Sequence, residues 1–230
     1  CSGCSGGGGL GLFPATLTIA QGATLTLPAG ATVKSGNAGN YGTLIVNGTL
    51  TAQGTAASPV TFTSLLDDSA GGNTTTDNLT SATSPAAGDW QGIQVSGGGS
   101  AALDHVAVRY ASQAVWKRNG PGGLTLKNST IGKSSVQALA YFGDDSSSAP
   151  VVENNVFTDN GQGSGAVSVS STDLDLSHIS GNSGSGNDVN GMLISGTVTT
   201  GTTWQDTWPI VIGCSGCSGG GGLGLFPATL

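Results

Sequence analysis

The sequence predicts an all-β chain folded as a right-handed parallel β-helix, or β-solenoid, with roughly nine rungs in each 213-residue repeat. Three observations lead there. Short runs of alternating apolar and polar residues are separated by Gly, Asn, Ser and Asp. A longer register of roughly 25 residues brings similar triplets into line. A seventeen-residue segment at the start of the chain recurs unchanged at its end.

Composition removes the competing classes. Of 230 residues 41 are Gly, 8% are charged and 37% are hydrophobic, with a net charge of −7. Disorder needs low hydrophobicity and high net charge, and neither holds. Ala, Glu, Lys and Leu do not dominate, as a helical bundle or coiled coil requires. Glycine lacks the period of three that defines collagen. No apolar run reaches the 18 or so residues of a membrane-spanning helix, so no membrane span is expected. Six scattered cations make no basic patch, so no nucleic-acid partner is expected either. The remainder is a secreted-type β chain.

The terminal copy sets the domain organisation. CSGCSGGGGLGLFPATL spans Cys1 to Leu17 and returns as Cys214 to Leu230, an offset of 213. Residues 1–213 therefore read as one repeat unit and 214–230 as the start of the next identical one. An artificial join is the plain alternative. Without an initiator Met or a signal-peptide pattern, the chain reads as an internal or mature segment.

Strands follow from the period-two runs ATLTI, ATLTL, GTLIVNGTL, PVTFTS, WQGIQVSG and GLTL, whose Thr, Val, Ile and Leu suit a half-buried pleated surface. In mid-chain, Leu103-Asp104-His105, Leu126-Lys127-Asn128, Val152-Glu153-Asn154 and Leu176-Ser177-His178 superpose, at successive spacings of 23, 26 and 24. The first three have an apolar residue five positions on (Val108, Ile131, Phe157), whereas the fourth has Gly181. A further strand follows in each unit, at Ala114-Val115-Trp116, Ala138-Leu139-Ala140, Ala166 to Val169 and Met192-Leu193-Ile194. Units of this length with two or three short strands stack into a solenoid sharing one core. Leucine-rich repeats have a similar period, but their L-x-x-L-x-L-x-x-N frame is missing.

The rungs ATLTLPAGATVK (23–34), GTLTAQGT (48–55), PVTFTS (59–64), GDWQGIQVSG (88–97) and LDHVAVRYA (103–111) resemble those of pectin-lyase-like parallel β-helix repeat proteins, in particular the surface proteins of that group. TTWQDTWPIVI (202–212) stands ahead of the second ATL rung, as in relatives of this type. The resemblance covers nearly the whole repeat through individually loose motifs. It implies a cell-surface or extracellular protein. Polygalacturonase-like hydrolases of this fold carry N-T-D, D-D, G-H-G and R-I-K motifs. Only D-D occurs here, at Asp67-Asp68 and Asp144-Asp145, so no catalytic residue is assigned.

Several candidate sites remain. His105, Asn128, Asn154 and His178 suggest a polar ladder at a tight bend, hydrogen-bonding from rung to rung, in preference to acid–base or metal chemistry. The stretch 65–88 is a long loop insertion, and Asp67, Asp68, Asn73, Asp77 and Asp89 in and after it offer the hard oxygens that suit a structural Ca²⁺. Arg109, Lys117 and Arg118 are the closely grouped cations; with Trp116 they either line a carbohydrate site or form a polar rim around a half-buried indole.

Cys1, Cys4, Cys214 and Cys217 form two CSGC pairs. Nine rungs would separate the pairs by ~40–45 Å, far beyond the ~7 Å that a disulfide spans, which also excludes a four-cysteine zinc site. Each CSGC can close a small loop, stay reduced or staple a neighbouring chain. Oxidised cysteines are expected in a secreted chain.

The expected function is non-enzymatic: an extracellular structural repeat that builds a stiff fibre, sheath or surface stalk by end-to-end stacking, with further copies of itself as partner. The alternatives are a carbohydrate-binding or polysaccharide-cleaving β-helix module, whose partner is an extracellular polysaccharide, and an adhesin passenger.

Overall fold

A strand of three to six residues has no stability alone, so each strand here depends on its equivalent one turn further along the chain. The computed structural model describes residues 16–36, 42–74, 84–144, 147–161, 166–204 and 206–212. The first coil holds β1 (Thr16–Ile19), β2 (Thr24–Leu27) and β3 (Thr32–Ser35). The second holds β4 (Thr43–Val46), β5 (Thr49–Gln53) and β6 (Val60–Ser64). In the third are β7 (Gly92–Val95), β8 (Ser100–Asp104) and β9 (Val106–Arg109). The fourth is made of β10 (Gln113–Lys117), β11 (Leu124–Lys127) and β12 (Thr130–Gly132). Then come β13 (Gln137–Phe142), β14 (Val151–Glu153) and β15 (Val156–Thr158), followed by β16 (Val167–Leu174), β17 (Ile179–Ser180) and β18 (Ser183–Ser185). The last described strands are β19 (Met192–Val198) and β20 (Ile210–Ile212).

Every third strand pairs up to β19, which pairs with β20, always in parallel. Sheet A runs β1-β4-β7-β10-β13-β16-β19-β20, sheet B β2-β5-β8-β11-β14-β17, and sheet C β3-β6-β9-β12-β15-β18. The fold is the expected parallel β-helix, but its coil count is a correction. Sheets B and C have six strands each and sheet A eight, so the described residues make six full coils and part of more, not nine. Dividing 213 by the register treats every residue as part of a rung. The insertion between β6 and β7 lengthens the chain, with no strand among its described residues, and Thr43 pairs with Gly92 across it.

Inward side chains stack in columns of like residues. On sheet A one column runs Leu17, Leu44, Ile93, Val115, Leu139, Val167, Met192, Ile210, and the next begins Ile19, Val46, Val95. Sheet B contributes Leu27, Ala52, Leu103, Leu126, Val152 and Ile179, and sheet C Val33, Phe62, Val108, Ile131 and Phe157. Full burial of a Val, Leu, Ile, Phe or Met in these columns contributes about 1.5–3 kcal/mol. The sheet C column then reaches Gly184. A Cβ there would lie 2.5 Å from the Trp208 indole, so the glycine makes room for Trp208 to stack on Phe157 at 5.5 Å between centroids.

The corners of the coil carry the second repeating feature. Between sheets B and C stand His105, Asn128, Asn154 and Gly181, with φ of 50°, 51°, 56° and 68°. Between sheets C and A stand Tyr110, Lys133, Asp159 and Gly186, with φ of 63°, 56°, 55° and 68°. Each is a one-residue left-handed corner, a conformation that Asn, Asp, His and above all Gly adopt at least cost. Gly181 also has no room for a side chain, because a Cβ would sit 2.1 Å from Asn154 Oδ1.

Register changes the membership of the sequence-derived ladder. His105, Asn128 and Asn154 occupy equivalent corners, but Val152 pairs with Ile179, which puts Gly181 and not His178 in the fourth place. Asp175 accepts from Ser177 N at 3.0 Å and caps a single 3-10 turn over Leu176–His178, delaying the next strand by three residues. The corner side chains are half-exposed or exposed, and the buried ladder runs one residue later. There Ser129 N donates to Asn155 Oδ1 at 3.0 Å, Asn155 N to Asn182 Oδ1 at 3.1 Å, and Asn182 N to Asp206 Oδ1 at 2.8 Å. A second ladder at the other corner links Ser134 N to Asn160 Oδ1 (3.1 Å), Asn160 N to Asn187 Oδ1 (2.9 Å) and Asn187 N to Asn190 Oδ1 (3.2 Å). Each buried amide also donates back to the preceding coil, Asn155 Nδ2 to Leu126 O and Asn160 Nδ2 to Ile131 O, both at 2.9 Å.

These partners predict a contrast between neighbours. Asn155→Ala strands Ser129 N–H and Leu126 C=O in the core and should cost about 3 kcal/mol in urea unfolding, against roughly 1 kcal/mol for Asn128→Ala. Equal losses would contradict the placement of the ladder at Asn155.

Candidate functional site

Strand alternation separates the residues that the sequence groups around Trp116. Trp116 and Lys117 are successive on β10 and so face opposite sides of sheet A. Trp116 is half-buried on the outer face, where the Arg118 guanidinium lies 4.1 Å above its ring centroid. Lys117 is fully buried in the inner column, paired with Val95 and Tyr141. Its ammonium donates to Arg118 O and to Gly120 O, closing the turn that leads to sheet B. Arg109 belongs to sheet C, where its Nε pairs with Asp67 Oδ2 at 2.8 Å. Trp116 and Arg118 are therefore neighbours, while Lys117 and Arg109 are engaged elsewhere.

A groove of about 210 Å³ opens beside Trp116 on the outer face of sheet A, lined also by Thr43, Gln91, Gly92, Gln94 and Gln113. Gln94 stands directly opposite Trp116 in register. Gln113 Nε2 donates to Gln137 Oε1 at 3.3 Å, and Gln137 Nε2 to Ser168 Oγ at 2.8 Å, so uncharged amides run from coil to coil along this face. A wall of amides and one indole offers paired donors and acceptors beside an apolar plane.

The acidic loop is organised by protein donors. Asp67 is buried and accepts from Thr63 Oγ1 at 2.5 Å, Ser69 Oγ at 2.6 Å and Ser69 N at 3.2 Å, besides Arg109. Burial pushes its pKa up, but the hydrogen bonds from Ser69 and Thr63 and the Arg109 charge outweigh that and hold it below the ordinary value. Asp89 accepts from Ser64 Oγ at 2.6 Å and Ala86 N at 3.0 Å. Asp68 and Asn73 are exposed, and Asp77 lies outside the described residues. Among the described residues no three His, Cys, Asp or Glu side chains cluster closely enough to hold a metal ion. Cys1, Cys4, Cys214 and Cys217 also lie outside the described residues.

On the outer side of sheet B, Lys127 Nζ pairs with Glu153 Oε2 at 2.8 Å, and His178 Nδ1 lies 3.4 Å from Glu153 Oε1. The Lys127 hydrogen bond is the main cause that lowers the Glu153 pKa. Asp104 meets His105 Nδ1 at 2.7 Å and accepts from Asn128 Nδ2 at 2.8 Å. These groups tie coil to coil across the corner, and their arrangement is that of surface stitching. Sequence reasoning missed Asn155, Asn160, Asn182 and Asn187, although their signal is legible: the Asn-x4-Asn pair at Asn155 and Asn160 returns one coil later at Asn182 and Asn187.

No protein-family model, curated protein or solved structure matches this chain.

Burial of Lys117 and Tyr141 in one column gives a pH signature. Desolvation lowers the Lys117 pKa, partly opposed by the charge of Asp144. Desolvation likewise pushes Tyr141 up to about 12. Unfolded tyrosine ionises near 10, so the Tyr141 contribution is intact below pH 10 and is lost as pH rises towards 12, about 2–3 kcal/mol in all. Tyrosinate absorbance should therefore show a late phase near pH 12 that Tyr141→Phe removes. An unchanged titration in that variant would refute the assignment.

Proposed function

We propose that this chain is one unit of an extracellular or cell-surface structural protein, a stiff β-solenoid fibre, sheath or stalk made by end-to-end stacking of repeats. The observation that carries it is the unchanged copy of residues 1–17 at 214–230, because a solenoid is the architecture in which identical units lengthen one object without altering its cross-section. The columns support it: a following unit continues rows of like residues. Stiffness comes from axial main-chain hydrogen bonding in three sheets at once. In this reading the CSGC cysteines are oxidised, within each motif or between neighbouring chains.

Proteins of one, two and three head-to-tail copies test the reading by small-angle X-ray scattering. Eight stacked strands on sheet A imply about 40 Å of added length per copy at constant cross-section. Copies that scatter as separate beads on flexible linkers would sink it.

The groove beside Trp116 favours a second reading, a carbohydrate-binding surface. Titration with oligosaccharides followed by tryptophan fluorescence should then show binding that Trp116→Ala weakens at least tenfold, about 1.4 kcal/mol. Binding unaffected by that substitution would place any sugar elsewhere.

A further inference from the structure

Both ends of sheet A expose side chains that belong to its core. Leu17 begins the column whose next members, Leu44 and Ile93, are 4% and 0% exposed, yet Leu17 itself is 56% exposed. At the other end Ile212 is 77% exposed, whereas Ile194 beneath it is 7% exposed. These positions face inward and are uncovered because no described strand stacks beyond them.

Within the two edge strands the sequence is apolar and Thr-rich, although Pro209 stands directly before β20. Natural sheet edges are blunted by charge, proline or a bulge. The Thr-Leu-Thr-Ile of β1 and the Ile-Val-Ile of β20 carry none of the first two. At the β20 end, sheets B and C are closed off differently. Trp208 stacks over Phe157, while Asp206 and Asn190 receive the last bonds of the two ladders. Sheet A alone runs on past this closure, through β19 and β20.

Sequence spacing names the occupant. The last coil step on sheet A runs from Met192 to its partner Ile210, and a step of nearly the same length from Ile210 arrives at Leu230, the copy of Leu17. We infer that the free edge of β20 takes, in parallel, the Thr-Leu-Thr-Ile strand of a following copy of this chain, Leu17 of that copy packing on Ile210 and Ile19 on Ile212. This rests on the fibre reading and adds the surface and the register of the joint. Both aliphatic columns of sheet A then pass from one copy into the next without a break in side-chain type.

The test is amide hydrogen exchange on the single chain and on a tandem protein in which residues 1–213 are followed by a full second copy. In the tandem, the internal Ile210–Ile212 and the internal Thr-Leu-Thr-Ile should gain about a hundredfold protection over the outer copies of the same strands. Ile212→Asp in the first copy alone should abolish that gain and leave β4 and β7 protected. Internal strands that exchange like the outer ones would overturn the joint. Scattering from the same samples separates the two claims. An extended rod without the protection refutes this register and spares the fibre, whereas separate beads remove both. If the tandem protein aggregates, single chains of residues 1–213, which lack the second copy of Leu17, answer instead: Leu17→Asp and Ile212→Asp should each stay monomeric in sedimentation, and their equal mixture should form dimers through the one intact pair of ends. Elongation that neither substitution affects would overturn the inference.

Discussion

Parallel main-chain hydrogen bonding between successive coils is the constraint on which everything else depends. Once β4 pairs with β1, and β7 with β4, in fixed register, each side chain must sit directly on its equivalent one coil away. A side chain is therefore chosen less by its position in one coil than by what lies above and below it. Aliphatic residues stack on aliphatic residues because an apolar column has no desolvation penalty. Buried amides stack on buried amides because each supplies the acceptor that the preceding coil's backbone N–H lacks. Even the outer face follows the rule, with Gln113 bonded to Gln137 and Lys127 to Glu153.

The exceptions occur where the chain must leave the stack and return. Lys117 and Tyr141 interrupt an otherwise aliphatic column, and each sends its polar end to main-chain carbonyls in the connections between sheets A and B. Those connections vary in length, so a long side chain from the core adds there to the role that the ladders play at the two tight corners. Asp67 and Arg109 do the same for the insertion after β6, anchoring it to the end of β9. Side chains that looked like chemistry in isolation are engaged in holding irregular backbone against a regular stack.

The β class, the parallel stacking and most strands were legible in the sequence, because alternation and a recurring register are direct images of pleat and coil. Rung number was not, since an insertion and a rung look alike when length is divided by period. The grouping of Arg109, Lys117 and Arg118 failed for another reason: proximity along a strand alternates between faces, and Arg109 belongs to a different sheet. His178 was misaligned by three residues because the Asp175 cap inserts a helical turn that leaves no mark on apolar spacing. The buried Asn pairs were visible as a motif that returns after one coil, but the exposed residues just before them carried the more conspicuous pattern.

The all-parallel arrangement of strands has a consequence for symmetry. A stack whose strands all run one way has two chemically different faces, one starting with Thr16–Ile19 and one closing with Ile210–Ile212. A two-fold axis across the stack joins two copies of the same face in antiparallel pairing and never joins one face to the other. A contact between unlike ends is heterologous, and along a straight axis it does not close on itself. A parallel joint between unlike ends has no dimer as its stopping point: whatever limits a stack built that way has to be written at its termini rather than in its repeating unit.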